Sequence, residues 1–121
     1  MGSVITEIEV DCADPEPVAR FWGEALGWEV QHEADLLWMS ASGVPSDTGL
    51  KLVFAEVPEA KSVKNRVHID LSPSGCDQAE ELERLLRLGA SRIDIGQGDV
   101  PWVVLADPGG NEFCLLKRRR D

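Results

Sequence analysis

Alternating apolar and acidic residues open the chain and predict a strand. Over Thr6–Cys12 apolar residues alternate with acidic ones, and a period of two is typical of a half-buried strand. Asp14 and Pro15 predict a helix start, because aspartate is a good N-cap residue and proline suits the first turn. Gly27 is the predicted end of that helix. This half also contains three predicted strands and a loop: Trp28–His32, Leu36–Ser40, Leu50–Val57 and the loop Ala41–Gly49.

The same order of elements returns after the midpoint of the chain. A strand predicted over Arg66–Leu71 is followed by an amphipathic helix over Asp77–Leu88. Gly89 ends this helix directly after a leucine, as Gly27 ends the first one. Three short strands complete the second half: Ser91–Ile95, Trp102–Ala106 and Glu112–Leu116.

This repeated pattern predicts how the 121 residues are organised. A first module spans 4–57, a second module spans 65–117, and a linker at 58–64 joins them. Half of the chain is too small to bury a good core alone. We therefore predict a single domain, 1–121, in which two β-α-β-β-β modules pack together, or in which each module pairs with one from another chain.

Strand alternation sorts the side chains into two faces. The apolar face should pack under the helices; its members are Ile8, Val10, Leu50, Leu52, Phe54, Val67, Ile69, Leu71, Phe113 and Leu115. The opposite face carries most of the chemistry; its members are Glu7, Glu9, Asp11, Lys51, Val53, Arg66, His68, Asp70, Glu112 and Cys114. If the sheet is open to water, this second face is merely solvated. If the sheet curls, the same residues line a cleft.

Composition narrows the function classes. The formal net charge is −10, which argues against nucleic acid as a partner. No apolar run approaches the roughly 18–20 residues that span a membrane, and no signal-peptide pattern is expected at the N-terminus. The cysteines, Cys12, Cys76 and Cys114, are odd in number and lack metal or disulfide spacing, which favours a reducing compartment such as the cytoplasm. The basic tail 117–121 is either a solvated terminus or an interaction tail.

Three motifs in order resemble the vicinal oxygen chelate superfamily of glyoxalases, bleomycin-resistance proteins and extradiol dioxygenases. Phe21–Gly27 is similar to its FYxxxLG motif, and Asp107–Asn111 is similar to its DPxGN hairpin. Lys64–Asp70 resembles the start of the second module in the glyoxalase-like branch. The resemblance implies an α+β fold in which the two modules form a cupped mixed sheet, with helices on the convex face and a small-molecule ligand or metal on the concave face. It also implies a homodimer.

The resemblance further implies metal ligands in the first and last strands of each module. The matching positions are Glu7, His68 and Cys114, together with Val53, which cannot coordinate a metal. A Glu, His and Cys set suits zinc with one open position. Two alternatives remain at this stage: Cys114 is an apolar filler, or His68 is a pocket residue that shares its proton with Glu7 or Asp70.

Three functions follow from these residues. The first is a small-molecule-binding protein of the bleomycin-resistance kind with an acidic cleft. Its expected ligand-binding residues are Glu9, Asp11, Arg66, Asp70, Trp38 and Trp102. The tryptophans either form a pocket wall or pack in the core, and Arg66 either steers an anion or neutralises nearby carboxylates. The second function is a divalent-metal-dependent lyase or isomerase, with Glu112 or Asp70 as the base. The third is a non-catalytic protein-interaction module.

Overall fold

A computed structural model describes residues 1–41 and 49–120, so most of the predicted loop Ala41–Gly49 lies outside the described residues. The chain divides into two units, Met1–Ala60 and Lys61–Asp121. Within these described ranges, each unit contains one helix and one four-stranded sheet. Among the described residues, no helix is both long and apolar enough to cross a lipid bilayer.

The first unit is built around a parallel pair of strands. Its elements are β1 Glu7–Cys12, α1 Pro15–Leu26, β2 Gln31–Glu33, β3 Leu36–Ser40 and β4 Lys51–Glu56. The sheet has the order β1-β4-β3-β2, with β1 parallel to β4 and the remaining neighbours antiparallel. β1 pairs with β4 along its whole length, from Glu7 opposite Lys51 to Cys12 opposite Glu56.

The close of α1 explains why β2 starts later than predicted. Gly27 adopts a left-handed conformation with φ of 71°, which glycine tolerates without steric cost. Both Gly27 and Trp28 donate their N–H groups to the Gly23 carbonyl. Trp28 is therefore part of the helix end and not the first residue of a strand, so the prediction of a strand over Trp28–His32 is wrong at its start.

The second unit repeats the strand order of the first. Its elements are β5 Asp70–Leu71, α2 Gln78–Leu88, β6 Ser91–Arg92, β7 Val103–Ala106 and β8 Glu112–Leu115. The order is β5-β8-β7-β6, and β5 is parallel to β8. Two mixed sheets, each with one helix, confirm the α+β class and the prediction of two β-α-β-β-β modules.

In the second unit, polar side chains fix the start of α2 and the turn before β8. The Asp77 carboxylate accepts from the Glu80 N–H at 2.9 Å and caps α2. The Gln78 amide donates to the Leu115 carbonyl at 3.2 Å and ties the helix start to β8. Asp107 accepts from the Gly109 N–H at 2.9 Å and from the Asn111 N–H at 3.0 Å, which closes the turn before β8.

The predicted core is partly wrong. Phe54, Phe113 and Leu115 are buried as expected. Ile8, Leu50 and Val67 are exposed instead, because Ile8 lies on an edge strand, Leu50 precedes β4, and Val67 lies before the start of β5. The exposed fraction of Val67 reaches 85%. On the opposite face, Val53, Trp38, Cys114 and Glu112 are buried, so these positions are not simply solvated.

Candidate metal centre

The parallel pairing of β5 with β8 brings three potential metal ligands together. Asp70 lies opposite Cys114 in the register, so both side chains project from the same face of the sheet. The Cys114 N–H donates to the Ile69 carbonyl at 3.0 Å and holds the chain just before β5 against β8. His68 precedes Asp70 by two residues, a spacing that returns its side chain to the same side.

The donor atoms of this cluster are close enough to share one cation. The Cys114 Sγ lies 3.8 Å from the His68 Nδ1, and the same nitrogen lies 3.3 Å from an Asp70 carboxylate oxygen. All three donor atoms lie within 4.8 Å of one another. Zinc holds sulfur at about 2.3 Å and nitrogen or oxygen at about 2.0–2.2 Å in a tetrahedron, so neighbouring ligand atoms lie about 3.4–3.6 Å apart. The cluster therefore suits zinc in donor chemistry, and the two distances from the His68 nitrogen lie close to the spacing of zinc ligands.

Burial divides the cluster into an inner and an outer part. The exposed fraction of Cys114 is 4%, whereas the side chains of His68 and Asp70 are 36% and 48% exposed. Burial raises the pKa of the Cys114 thiol, and the Asp70 charge and hydrogen bond raise it further against a smaller opposing effect of Lys64. A free thiolate is disfavoured here, which argues against Cys114 as a nucleophile.

Glu112 is engaged by two partners on one segment of the chain. Its carboxylate accepts from the Lys61 ammonium at 3.0 Å and from the Asn65 N–H at 3.1 Å. Burial acts to raise the pKa of Glu112, but these hydrogen bonds and the Lys61 charge outweigh it, so the pKa lies below its ordinary value. The catalytic role predicted for Glu112 stays a prediction, and its contacts favour a role in holding residues 61–65.

The acidic residues of β1 that were predicted for the site, Glu7 as a metal ligand and Glu9 and Asp11 as ligand-binding residues, all lie in the first unit. Glu7, Glu9 and Asp11 alternate along β1 and are exposed. Glu9 lies opposite Val53, as Asp70 lies opposite Cys114 in the second unit. The first unit thus has a valine where the second has its thiol. The predicted set of Glu7, His68 and Cys114 stays a prediction, while the structure joins His68 and Cys114 with Asp70.

The two predicted wall tryptophans do not occupy matching places. Trp38 is buried and lies opposite Val53, and the Lys51 ammonium sits 5.1 Å from the centre of its ring. In the second unit Val104 lies opposite Cys114. Trp102 comes two residues earlier, before β7, and is exposed.

Sequence reasoning missed two kinds of contributor. Asp70 was assigned to ligand binding or catalysis, although its spacing from His68 on one strand face was a usable signal for a shared cluster. Lys61 and Asn65 fall in or next to the predicted linker, where no periodicity marks a contact with Glu112. Arg66, predicted for ligand binding, lies on the same segment and is exposed.

The comparison that decides the family covers nearly the whole chain. The family model described as "Glyoxalase-like domain" matches residues 7–116. The chain belongs to the glyoxalase-like domain family. With its structural neighbours, this places it in the vicinal oxygen chelate superfamily. No curated protein matches the chain in sequence at a significant level.

Solved structures share the fold of this glyoxalase-like domain at low identity. The fosfomycin resistance protein FosX of Listeria monocytogenes is 17% identical with a TM-score of 0.70, covering 98% of this chain and 93% of FosX. A glyoxalase/bleomycin resistance protein of Albidiferax ferrireducens is 14% identical with a TM-score of 0.62, covering 98% and 100%. Glyoxalase I of Leishmania major is 15% identical with a TM-score of 0.59, covering 96% and 87%.

One of these neighbours was solved with a metal. An E126Q variant of the Listeria FosX is complexed with Mn(II) and 1S,2S-dihydroxypropylphosphonic acid. At this level of identity, the comparison shows only that FosX and this glyoxalase-like domain share a fold.

Proposed function

We propose that this glyoxalase-like domain binds a small molecule, and that His68, Asp70 and Cys114 hold a divalent metal beside it. The observation that carries the proposal is the convergence of the three donor atoms within 4.8 Å. Imidazole, carboxylate and thiolate donors favour zinc over metals that prefer oxygen alone. When bound, the metal supplies a positive charge and an open position for a ligand oxygen.

The residues of the cluster divide the work of binding. Cys114 is the buried anchor, since its pKa is raised by burial and a cation is needed to hold it as a thiolate. His68 and Asp70 are partly exposed, so they complete the site on the side from which a small molecule arrives. Glu9 and Asp11 form an exposed acidic row on β1 of the first unit, and their role in binding a cationic group is a separate proposal.

Binding without chemistry is better supported than catalysis. Of the two carboxylates predicted as bases, Glu112 is paired with Lys61 and has a lowered pKa. Asp70 lies within the cluster itself, next to His68. A general base works best when its pKa lies near the operating pH, and the partners of Glu112 move its pKa away from neutral pH. A lyase or isomerase is therefore the weaker proposal.

Two broader expectations remain part of the proposal. All three cysteines lie in the described ranges and none forms a disulfide there, which supports the proposal of a reducing compartment such as the cytoplasm. The homodimer remains an expectation from the family, and light scattering of the purified protein tests it.

A metal titration of the purified protein tests the proposal. Zinc and cobalt(II) are titrated into metal-free protein, with binding heat and the thiolate-to-cobalt absorption as readouts. We expect one equivalent of metal, and we expect Cys114→Ser and His68→Ala to lose it. Cys76→Ser is the matched control, because Cys76 is a free thiol outside the cluster. Uptake that is absent, or equally strong in Cys114→Ser, contradicts the proposed site.

A further inference from the structure

Backbone pairing extends over more residues in β1 of the first unit than in its counterpart, β5 of the second unit. β1 pairs with β4 over six positions, so Glu7 and Glu9 are fixed by a backbone ladder. In the described part of the second unit, β5 pairs with β8 over two positions. His68 lies outside that ladder, although it belongs to the metal cluster.

The register shows which residue faces the missing part of the ladder. Continuing the parallel pair of Asp70 and Cys114 two residues backwards reaches His68 and Glu112. The corresponding pair in the first unit is Glu7 and Lys51, which the ladder includes. Glu112 thus stands on β8 where a strand partner of His68 would lie.

Backbone bonding to β8 reaches Ile69, whose carbonyl accepts from the Cys114 N–H, and the side chain of Glu112 holds the residues that precede Ile69. It accepts from the Asn65 N–H at 3.1 Å, three residues before His68, and from the Lys61 ammonium at 3.0 Å. Lys61 also donates to the Val63 carbonyl. These contacts join both the start and the middle of the segment 61–68 to β8, and charged partners make such hydrogen bonds stronger than neutral ones.

The neighbouring turn supports the same arrangement. A Cβ placed on Gly110 would lie 3.4 Å from both the Cβ and the Cγ of Lys61. The lysine stem therefore runs directly along the turn before β8. Apolar burial does not hold this segment, since Val63 and Val67 are both exposed.

We propose that Glu112 and Lys61 are positioning residues that present His68 to the metal cluster. The inference rests on the proposed metal site. It adds the contacts that keep His68, the ligand outside the ladder of β5 and β8, in place. An ordered segment binds metal more tightly than a mobile one, because the cost of ordering has been met before the metal arrives. Loss of a group that hydrogen-bonds a metal ligand directly typically weakens metal binding about 10–100-fold, and Glu112 and Lys61 act on His68 less directly, through residues 61–65.

Zinc affinity of paired variants tests the positioning role. Lys61→Met and Glu112→Gln are compared with Lys61→Arg, which keeps the charge and donors, and with Lys117→Met, an exposed lysine on the tail. We expect zinc affinity to fall about tenfold in the first two variants, near the lower end of that range. Lys61→Arg should recover most of the affinity, and Lys117→Met should match the unchanged protein.

A second readout separates positioning from a general loss of structure. Heteronuclear relaxation of the metal-free protein reports the order of the His68 backbone and ring. We expect Lys61→Met to increase His68 motion and leave Leu71 in β5 unchanged. If Glu112→Gln does not fold, Lys61→Met carries the test alone. Unchanged zinc affinity in a folded Lys61→Met refutes the positioning role. No zinc binding by the unchanged protein refutes the metal site, and the inference falls with it.

Discussion

Removing the charge of Lys61 should destabilise the domain more than removing the charge of its partner Glu112. The Glu112 side chain is 9% exposed, whereas that of Lys61 is 20% exposed. Lys61→Met leaves a buried carboxylate without its cation. Glu112→Gln leaves a lysine that can turn toward water and an amide oxygen that can still accept from Asn65. The two ends of one ion pair should therefore give unequal penalties.

The size of each penalty follows from where the pair lies. Breaking a buried ion pair from one side costs about 3–5 kcal/mol, while an exposed pair contributes about 0.2–1 kcal/mol. Glu112 is intermediate, because the Asn65 N–H continues to donate to it. We expect Lys61→Met to lower the free energy of unfolding by about 2 kcal/mol and Glu112→Gln by about 1 kcal/mol.

The dependence of the Lys61→Met penalty on pH provides a second test of the prediction. Burial acts to raise the pKa of Glu112, but Lys61 and Asn65 bring it below the ordinary value of 4.5. Stabilisation from this group is thus fully present above the unfolded pKa and is lost as pH falls through the lower folded pKa. In Lys61→Met the ammonium no longer opposes the effect of burial on the Glu112 pKa. The Glu112 carboxyl therefore binds its proton at a higher pH. The penalty of Lys61→Met should therefore shrink at acidic pH.

Urea unfolding with a metal chelator present measures these differences. Each variant is unfolded at neutral and at acidic pH, with Lys117→Met as the charge-matched control. Equal penalties for Lys61→Met and Glu112→Gln would show that Glu112 is not effectively buried. A Lys61→Met penalty that stays constant or grows at acidic pH would refute the assignment of the cost to an unpaired carboxylate.

Three further substitutions or additions test other parts of the structure. Gly23→Ala should destabilise the domain by about 1–2 kcal/mol despite alanine's better helix propensity. The reason is that the added Cβ would lie 3.0 Å from the Trp28 carbonyl oxygen. A higher midpoint of thermal unfolding in this variant would contradict the prediction. Gln78→Leu should cost about 1–2 kcal/mol by removing the amide that donates to the Leu115 and Pro101 carbonyls, as measured by urea unfolding. Zinc should slow the alkylation of Cys114, as followed by peptide mass mapping, and equal rates with and without zinc would argue against thiolate coordination.

The helices were predictable because their ends carry local chemical signals. Asp77 and Gly89 bracket α2 as expected from capping preferences. The strand over Arg66–Leu71 was overestimated for the opposite reason, since alternation alone does not show whether a partner strand is present. The structure pairs Asp70 and Leu71 with β8 and leaves Val67 exposed. Strand length depended on a distant partner that the local pattern does not contain.

The site was predictable to the extent that it follows strand register. His68 and Cys114 came from family motifs, and the parallel ladder places them together through Asp70. The partnership of Lys61 with Glu112 spans 51 positions and has one end in β8 and the other in the predicted linker. No periodicity predicts such a contact, because it depends on the path of a segment without regular structure.

The matching registers of the two units make the chain a natural template for a transplanted site. Glu7, Glu9 and Val53 occupy the places that His68, Asp70 and Cys114 occupy in the second unit. Three substitutions, Glu7→His, Glu9→Asp and Val53→Cys, would copy the ligand set onto β1 and β4. There the ladder already extends through Glu7, so the copied histidine would need no side-chain contact to hold its backbone in place. The copy would then reveal how much affinity a backbone ladder provides in place of a lysine and a glutamate.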